Sequence, residues 1–252
     1  MQVLMYHDVT APGRHQASGF PDADAALYKL DEAQFSAHLD ALADALPAPG
    51  VSVNDTWCIT LDDGGVSAHT TIAPALAAKN WRGWFFMTTD YIGAPAFLNA
   101  AQLRELHAQG HVIGSHSCSH PARFSYLSYA EMLREWRDSL AKLSDILGAN
   151  VTTASVPGGF YSRDVARAAA EAGVKTLFNS EPTAKTAMVD GCLVVGRYAI
   201  QRATPPRAAA ALATGKFLPT MQQALLWNMK KAAKNIGGPA YLKLRKALLQ
   251  KN

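Results

Sequence analysis

Cysteine is scarce in this chain, long apolar runs are missing, and acidic residues stop well before the end. The three cysteines, Cys58, Cys118 and Cys192, are odd in number and widely spaced. They fit neither a disulfide framework nor a Cys-x-x-Cys metal site, and a reducing compartment is the expected setting. No stretch approaches the roughly 18 to 20 uncharged apolar residues that a membrane-spanning helix needs. The N-terminus, Met1 to Asp8, has no basic segment leading into a long apolar one. It reads as a strand and not as a secretory leader. After Asp190 there is no Asp or Glu, and after His120 there is no His. The last 62 residues carry 11 Lys and Arg, leaving 13 of the 24 basic residues against all 20 acidic ones in residues 1–190. A basic tail on an acidic body implies an anionic partner for the tail.

What is present is a globular core and a strict alternation of strand and helix signals. Apolar residues make up 49% of the 252. Strands are expected at 3–6, 57–61, 83–88, 111–115, 152–156, 174–178 and 193–195. Helices are expected at 31–46, near 68–79, and at 99–108, 128–147 and 162–172, with Asn99 as an N-cap and Gly110, Gly148 and Gly173 as stops. Such an order predicts a parallel sheet with helices outside it, and about seven units in roughly 200 residues suit a barrel. The predicted fold is α/β, a distorted barrel of seven β/α units over residues 1–204. A basic helical appendage over 205–252 follows, with breaks at Gly215, Pro219 and Gly237-Gly238-Pro239.

The chemistry-bearing residues fall at the ends of these strands. His7 follows the first, Asp62 and Asp63 the second. His116 begins His116-Ser117-Cys118-Ser119-His120 after the strand at 111–115. Pro157-Gly158-Gly159 follows the strand at 152–156, and Arg197 the last. In a parallel barrel, strand C-terminal ends share one rim, where catalytic groups gather. One carboxylate and two imidazoles form a metal site that keeps a position open for water. The second carboxylate is then free to act as a base. Neighbouring strand residues face opposite ways, so Asp62 and Asp63 need not share a task. His116 and His120 converge either on one helical turn or in a tight loop. Cys118, between them, is read as a buried thiol and not a third ligand. Pro157-Gly158-Gly159 offers backbone N–H groups that an oxyanion could approach. Trp81, Trp84, Phe85 and Phe86 read mostly as core, with one or two available to stack on a sugar.

Thr60-Leu61-Asp62-Asp63-Gly64 and His116-Ser117-Cys118-Ser119-His120 together resemble the first two motifs of the polysaccharide deacetylases of the NodB-homology group, carbohydrate esterase family 4. The resemblance covers residues 1 to about 200. It implies a distorted (β/α)7 barrel that hydrolyses the N-acetyl group of a sugar. Carried over, it makes Asp63, His116 and His120 ligands of a divalent metal, zinc first and nickel or cobalt as alternatives. It makes Asp62 the general base and a backbone N–H near Gly158 an oxyanion donor. Two departures stand out. Ser155 replaces the family's motif arginine, and no late histidine exists to protonate the leaving amine. The opening Met5-Tyr6-His7-Asp8-Val9 resembles the Tyr-His-x-Val start of the branch containing the poly-N-acetylglucosamine deacetylases. In that branch the acid histidine comes from the first strand, so His7 takes that role here, and Arg197 is assigned the missing positive charge beside Asp62.

The expected substrate is an amino sugar in a cell-envelope polysaccharide or a lipid-linked glycan. Met221 to Ile236 and Tyr241 to Leu248 mix apolar residues with lysines, a pattern suited to an anionic membrane surface. That pattern predicts a cytoplasmic enzyme peripheral to the inner face of the membrane. No nucleic-acid motif accompanies the charge, and no nucleic-acid partner is expected. A non-carbohydrate amide hydrolase and a silent glycan-binding module are the alternatives.

Overall fold

A computed structural model describes residues 1–229 of the chain. Eleven strands form: β1 Gln2–Tyr6, β2 Val9–Thr10, β3 Leu30–Asp31, β4 Trp57–Leu61, β5 Trp84–Met87, β6 Val112–Ser115, β7 Thr153–Ser155, β8 Thr176–Phe178, β9 Thr186–Val189, β10 Cys192–Val195 and β11 Tyr198–Ala199. Nine of them make one sheet, in the order β11-β1-β4-β5-β6-β7-β8-β10-β9. All pairings in it are parallel except β9 with β10. The sheet curls strongly into an open half-barrel, the distorted form of the predicted barrel. Among the described residues its two edges do not pair. Strands β2 and β3 form a separate parallel pair beside it.

Seven α-helices accompany the sheet: α1 Ala23–Ala26, α2 Glu32–Ala45, α3 Ala73–Ala77, α4 Ala100–Ala108, α5 Tyr129–Leu147, α6 Arg163–Glu171 and α7 Pro206–Ala213. Their ends are set by local chemistry. Asp31 with Gln34, Asn99 with Gln102 and Ser128 with Glu131 each form a reciprocal capping box. That satisfies amide donors a helix start leaves orphaned. α5 stops at Gly148, whose φ of 64° is the left-handed conformation glycine adopts without a Cβ penalty. α7 buries Ala209, Leu212 and Ala213 and packs against α2. A further helical stretch covers 217–229, with Pro219 in its first turn and not at a break. Proline is tolerated there because first-turn N–H groups have no helical acceptor. The expected break at Gly237-Gly238-Pro239 lies outside the described residues.

Strand alternation divides the core in two and aims the chemistry. Leu4, Tyr6, Ile59, Leu61, Phe85, Ile113, Ala154, Leu177 and Val194 face outward into the layer beneath the helices. Val3, Cys58, Trp84, Phe86, Phe178 and Val195 face inward and fill the half-barrel. With a period of two, Asp62 continues the inward set of β4, His7 that of β1 and Arg197 that of β10. The β1–β4 register pairs Tyr6 with Leu61, so His7 and Asp62 leave the sheet at the same level. Trp81, Trp84, Phe85 and Phe86 are all buried, which removes them as sugar platforms.

Candidate active site

Asp62 and Asp63 diverge as the alternation requires, and the backbone then brings Asp63 back. Asp63 has φ 76° and Gly64 φ 83°, so the chain reverses at once after β4. A non-glycine residue in this region is strained, and such strain persists where surroundings enforce it. The second motif is built the same way. Ser117 and His120 have φ 65° and 55°, so residues 116–120 form a tight loop and not a helical turn. Asp63 Oδ1 lies 3.5 Å from His116 Nε2 and 3.6 Å from His120 Nε2. A tetrahedral site with bonds of roughly 2.0 to 2.1 Å separates its ligand atoms by about 3.4 Å. Asp63, His116 and His120 match that spacing, and they are the group of metal-binding character found among the described residues. Cys118 stands apart from it. Its thiol is half-buried, less enclosed than expected, and donates to the Glu135 carbonyl, while burial pushes its pKa up to about 11.

The tautomer of His116 follows from its partners. Nδ1 lies 3.1 Å from the Ser155 carbonyl oxygen, which only accepts, and 2.5 Å from Ser155 Oγ. Nδ1 therefore carries the proton, leaving the Nε2 lone pair toward Asp63 and the metal position. Ser155 Oγ donates in turn to Asp62 Oδ1 at 3.2 Å. Ser155 is thus a bridge between His116 and the second carboxylate.

Asp62 carries the strongest pairing in the site. Arg197 donates from Nη1 to Oδ1 and from Nη2 to Oδ2, both at 2.7 Å. Arg197 is wholly buried and is held by the Asn179 carbonyl at Nε and by Thr60 Oγ1. Burial alone would raise the Asp62 carboxyl, but the Arg197 guanidinium overrides it and keeps the carboxyl below the usual carboxylate range. Asp63 is also held below the usual carboxylate range: burial opposes ionisation, and the imidazoles of His116, His7 and His120 outweigh it. Burial is the largest influence on the His120 ring and lowers its pKa.

His7 stands beside these carboxylates and helps lower both. Its ring lies 4.7 Å from that of Tyr28, and its Nδ1 is buried without a hydrogen bond. Gly158 sits in the turn after β7 with φ 64°, its missing Cβ leaving room for the Ala122 carbonyl. The structure therefore brings Asp62, Asp63, His116, His120, His7 and Arg197 together and sets Gly158 at the same rim. Sequence reasoning missed Ser155 as a bridge, and it missed Phe20 and Tyr28, which stack on His120 and His7. Both aromatics come from the irregular segment before β3, where no periodicity flags them.

The family model for polysaccharide deacetylases matches residues 51–177. The chain belongs to the polysaccharide deacetylase family. Both Asp62-Asp63 and the His116–His120 loop of this family member lie inside the matched span. His7 and Arg197 lie outside it, one at each side. YxkH of Bacillus subtilis (strain 168), named as a polysaccharide deacetylase, is 25% identical over 164 residues, 65% of this chain and 56% of that protein. A gellan lyase of Bacillus sp. is 32% identical over 110 residues, 44% of this chain and 4% of that protein. The chain thus spans about half of one relative and a small part of the other. IcaB from Ammonifex degensii shares the fold, with a TM-score of 0.67 at 19% identity over 84% of this chain and 96% of that one.

Proposed function

We propose that the chain is a metal-dependent N-deacetylase acting on an amino sugar of a cell-envelope polysaccharide or lipid-linked glycan. The observation that carries this is Asp62: a buried carboxylate clamped by Arg197, beside but outside the Asp63, His116 and His120 cluster. A divalent cation held by Asp63, His116 and His120, zinc first with nickel or cobalt as alternatives, would polarise the amide carbonyl and acidify water. Asp62 takes a proton from the attacking water, and Arg197 keeps Asp62 ionised and oriented for it. The N–H near Gly158 donates to the carbonyl oxygen as it gains charge. His7 gives a proton to the nitrogen as the carbon–nitrogen bond breaks, releasing acetate and the free amine. The Tyr6-His7-Asp8-Val9 opening supports the branch with a first-strand acid, so neither the absent late histidine nor Ser155 argues for a silent module.

The purified protein should contain about one equivalent of divalent metal and release acetate from N-acetylglucosamine oligomers, with both lost on chelation and restored by metal. Metal without acetate from any sugar would move the reading to other amides. Absence of metal under replete conditions would end it. Changing His7 to Ala should keep metal binding and lower turnover by roughly 10²-fold or more, the usual worth of a positioned acid. Near-normal turnover would remove His7 from the mechanism.

We also propose a cytoplasmic location at the inner membrane face. The helical stretch 217–229 turns Leu218, Met221, Leu225 and Met229 outward, between 49 and 70% exposed, at helical spacing. From Lys216 to the end the sequence has eight Lys and Arg and no Asp or Glu. Apolar side chains flanked by lysines suit anionic lipid. No helix among the described residues is long and apolar enough to cross a membrane, so contact would be at the surface. Full-length protein should co-sediment with anionic liposomes and a 1–215 truncation should not. Equal partitioning of the two would sink the idea.

A further inference from the structure

A buried cation outside the metal cluster ties down the segment that carries Phe20 and Tyr28. Lys29, immediately before β3, is 1% exposed. Its ammonium donates to the carbonyl oxygens of His15 at 2.7 Å and of Ser18 and Phe20 at 2.5 Å. Those three acceptors use all three N–H donors of a lysine. The counter-charge is Asp8, 2% exposed, with Oδ2 at 3.9 Å from Nζ. Asp8 Oδ1 accepts from Ser18 Oγ at 2.5 Å and Ser67 Oγ at 2.8 Å. Gly19 and Gly65 have no room for a Cβ, because the Asp8 carboxylate occupies that space. Burial lowers the Lys29 pKa and raises that of Asp8, each partly offset by the other charge. Desolvating a lysine and an aspartate is costly, and a well-packed apolar pair often serves stability as well. The pair is therefore weak evidence of a purely structural need.

Its placement suggests another purpose. Asp8 is the neighbour of His7, and Lys29 is the neighbour of Tyr28. One ion pair thus fixes the backbone on both sides of the His7–Tyr28 ring contact, 4.7 Å between centroids with planes 36° apart. The same ammonium anchors Phe20, whose ring lies 4.8 Å from His120 and packs on Tyr91 and Phe97. His7 makes no hydrogen bond through its buried Nδ1, so ring packing is what orients it. We propose that Lys29 and Tyr28 are positioning residues that hold the His7 imidazole in line with the departing nitrogen. This rests on the reading of His7 as the acid.

Leaving-group chemistry separates positioning from general damage. An amine must be protonated to depart, whereas 4-nitrophenolate leaves unaided. Lys29→Met and Tyr28→Leu should each lower acetate release from N-acetylglucosamine oligomers about 10-fold or more. Hydrolysis of 4-nitrophenyl acetate by the same proteins should stay within about 2-fold, with bound metal unchanged; the expected split reflects the usual worth of a positioned acid. Tyr28→Leu leaves the ion pair intact, so it gives the answer if Lys29→Met does not fold. Equal loss on both substrates, or loss on neither, overturns the proposal. His7→Ala is run alongside. Selective amide loss there, but not in Tyr28→Leu or Lys29→Met, overturns the positioning role alone. Its absence from all three removes the acid reading and the positioning role with it.

Discussion

Replacing Asp62 with Asn is expected to reduce acetate release by about 10³-fold or more, within the range a general base supplies, while bound metal stays near one equivalent. The substitution keeps size and removes the basic lone pair. Asp63, His116 and His120 keep their mutual distances, so the metal should remain. The asparagine also meets a guanidinium that offers donors at both carboxylate oxygens, 2.7 Å away. Its amide nitrogen cannot accept from either, so the loss includes orientation as well as basicity. The check is acetate release and elemental metal analysis on one preparation, with circular dichroism to show that the fold is intact. Turnover within 10-fold of the parent would eliminate Asp62 as base. Loss of metal together with turnover would instead make Asp62 a ligand.

Replacing Arg197 with Leu should produce the largest loss of stability, about 3 to 5 kcal/mol, the usual cost of leaving one charge of a buried pair uncompensated. Arg197 is 0% exposed, so solvent cannot take over its role toward Asp62. Without the guanidinium, burial raises the Asp62 carboxyl, since desolvation is the largest influence on it. The variant should therefore lose activity as well as stability at neutral pH. The double change Asp62→Asn with Arg197→Leu removes both charges and should recover part of the stability but none of the activity. Urea unfolding of the four proteins in this cycle gives the coupling directly. An Arg197→Leu variant within about 0.5 kcal/mol of the parent, the scatter of ordinary surface changes, would contradict the role assigned to the pair.

Much of the site was legible because parallel strands have a period of two and end on one rim. Asp62 and Asp63 at the end of an apolar strand, and two histidines four apart after another, pointed to one carboxylate and two imidazoles on a metal, and the family resemblance chose Asp63 as the carboxylate. Arg197 was marked by its position after the last expected strand. The conformations that complete the site were not legible. Nothing in the letters shows that Asp63, Ser117 and His120 take positive φ, because these are residues that other positions place in ordinary backbone. Ser155 read as a missing arginine, since its partners come from β4 and β6 and are remote in sequence. The positive charge beside Asp62 comes from Arg197, between β10 and β11. Lys29 and Tyr28 were invisible in a polar segment without periodicity. β9 was missed because Thr186, Ala187 and Met188 are all exposed and show no alternation.

The Asp62–Arg197 pair also joins distant parts of the chain. Asp63, His116 and His120 lie in the middle of the chain, whereas Asp62 and its counter-charge Arg197 are 135 positions apart. β11, which pairs with β1 at the sheet's edge, follows directly behind that arginine. The candidate metal cluster thus draws on the middle of the chain, while the Asp62–Arg197 half of the site spans a greater sequence separation. Loop-closure entropy grows only slowly with length, by about 0.6 kcal/mol per doubling, so the longer reach of this pair adds little cost. A fragment trimmed to residues 51–177, where the family model matches, would retain all three ligands and neither His7 nor Arg197. It would also lack β1, β9, β10 and β11, so the flanking segments supply both edges of the sheet and the His7 and Arg197 side chains of the proposed mechanism.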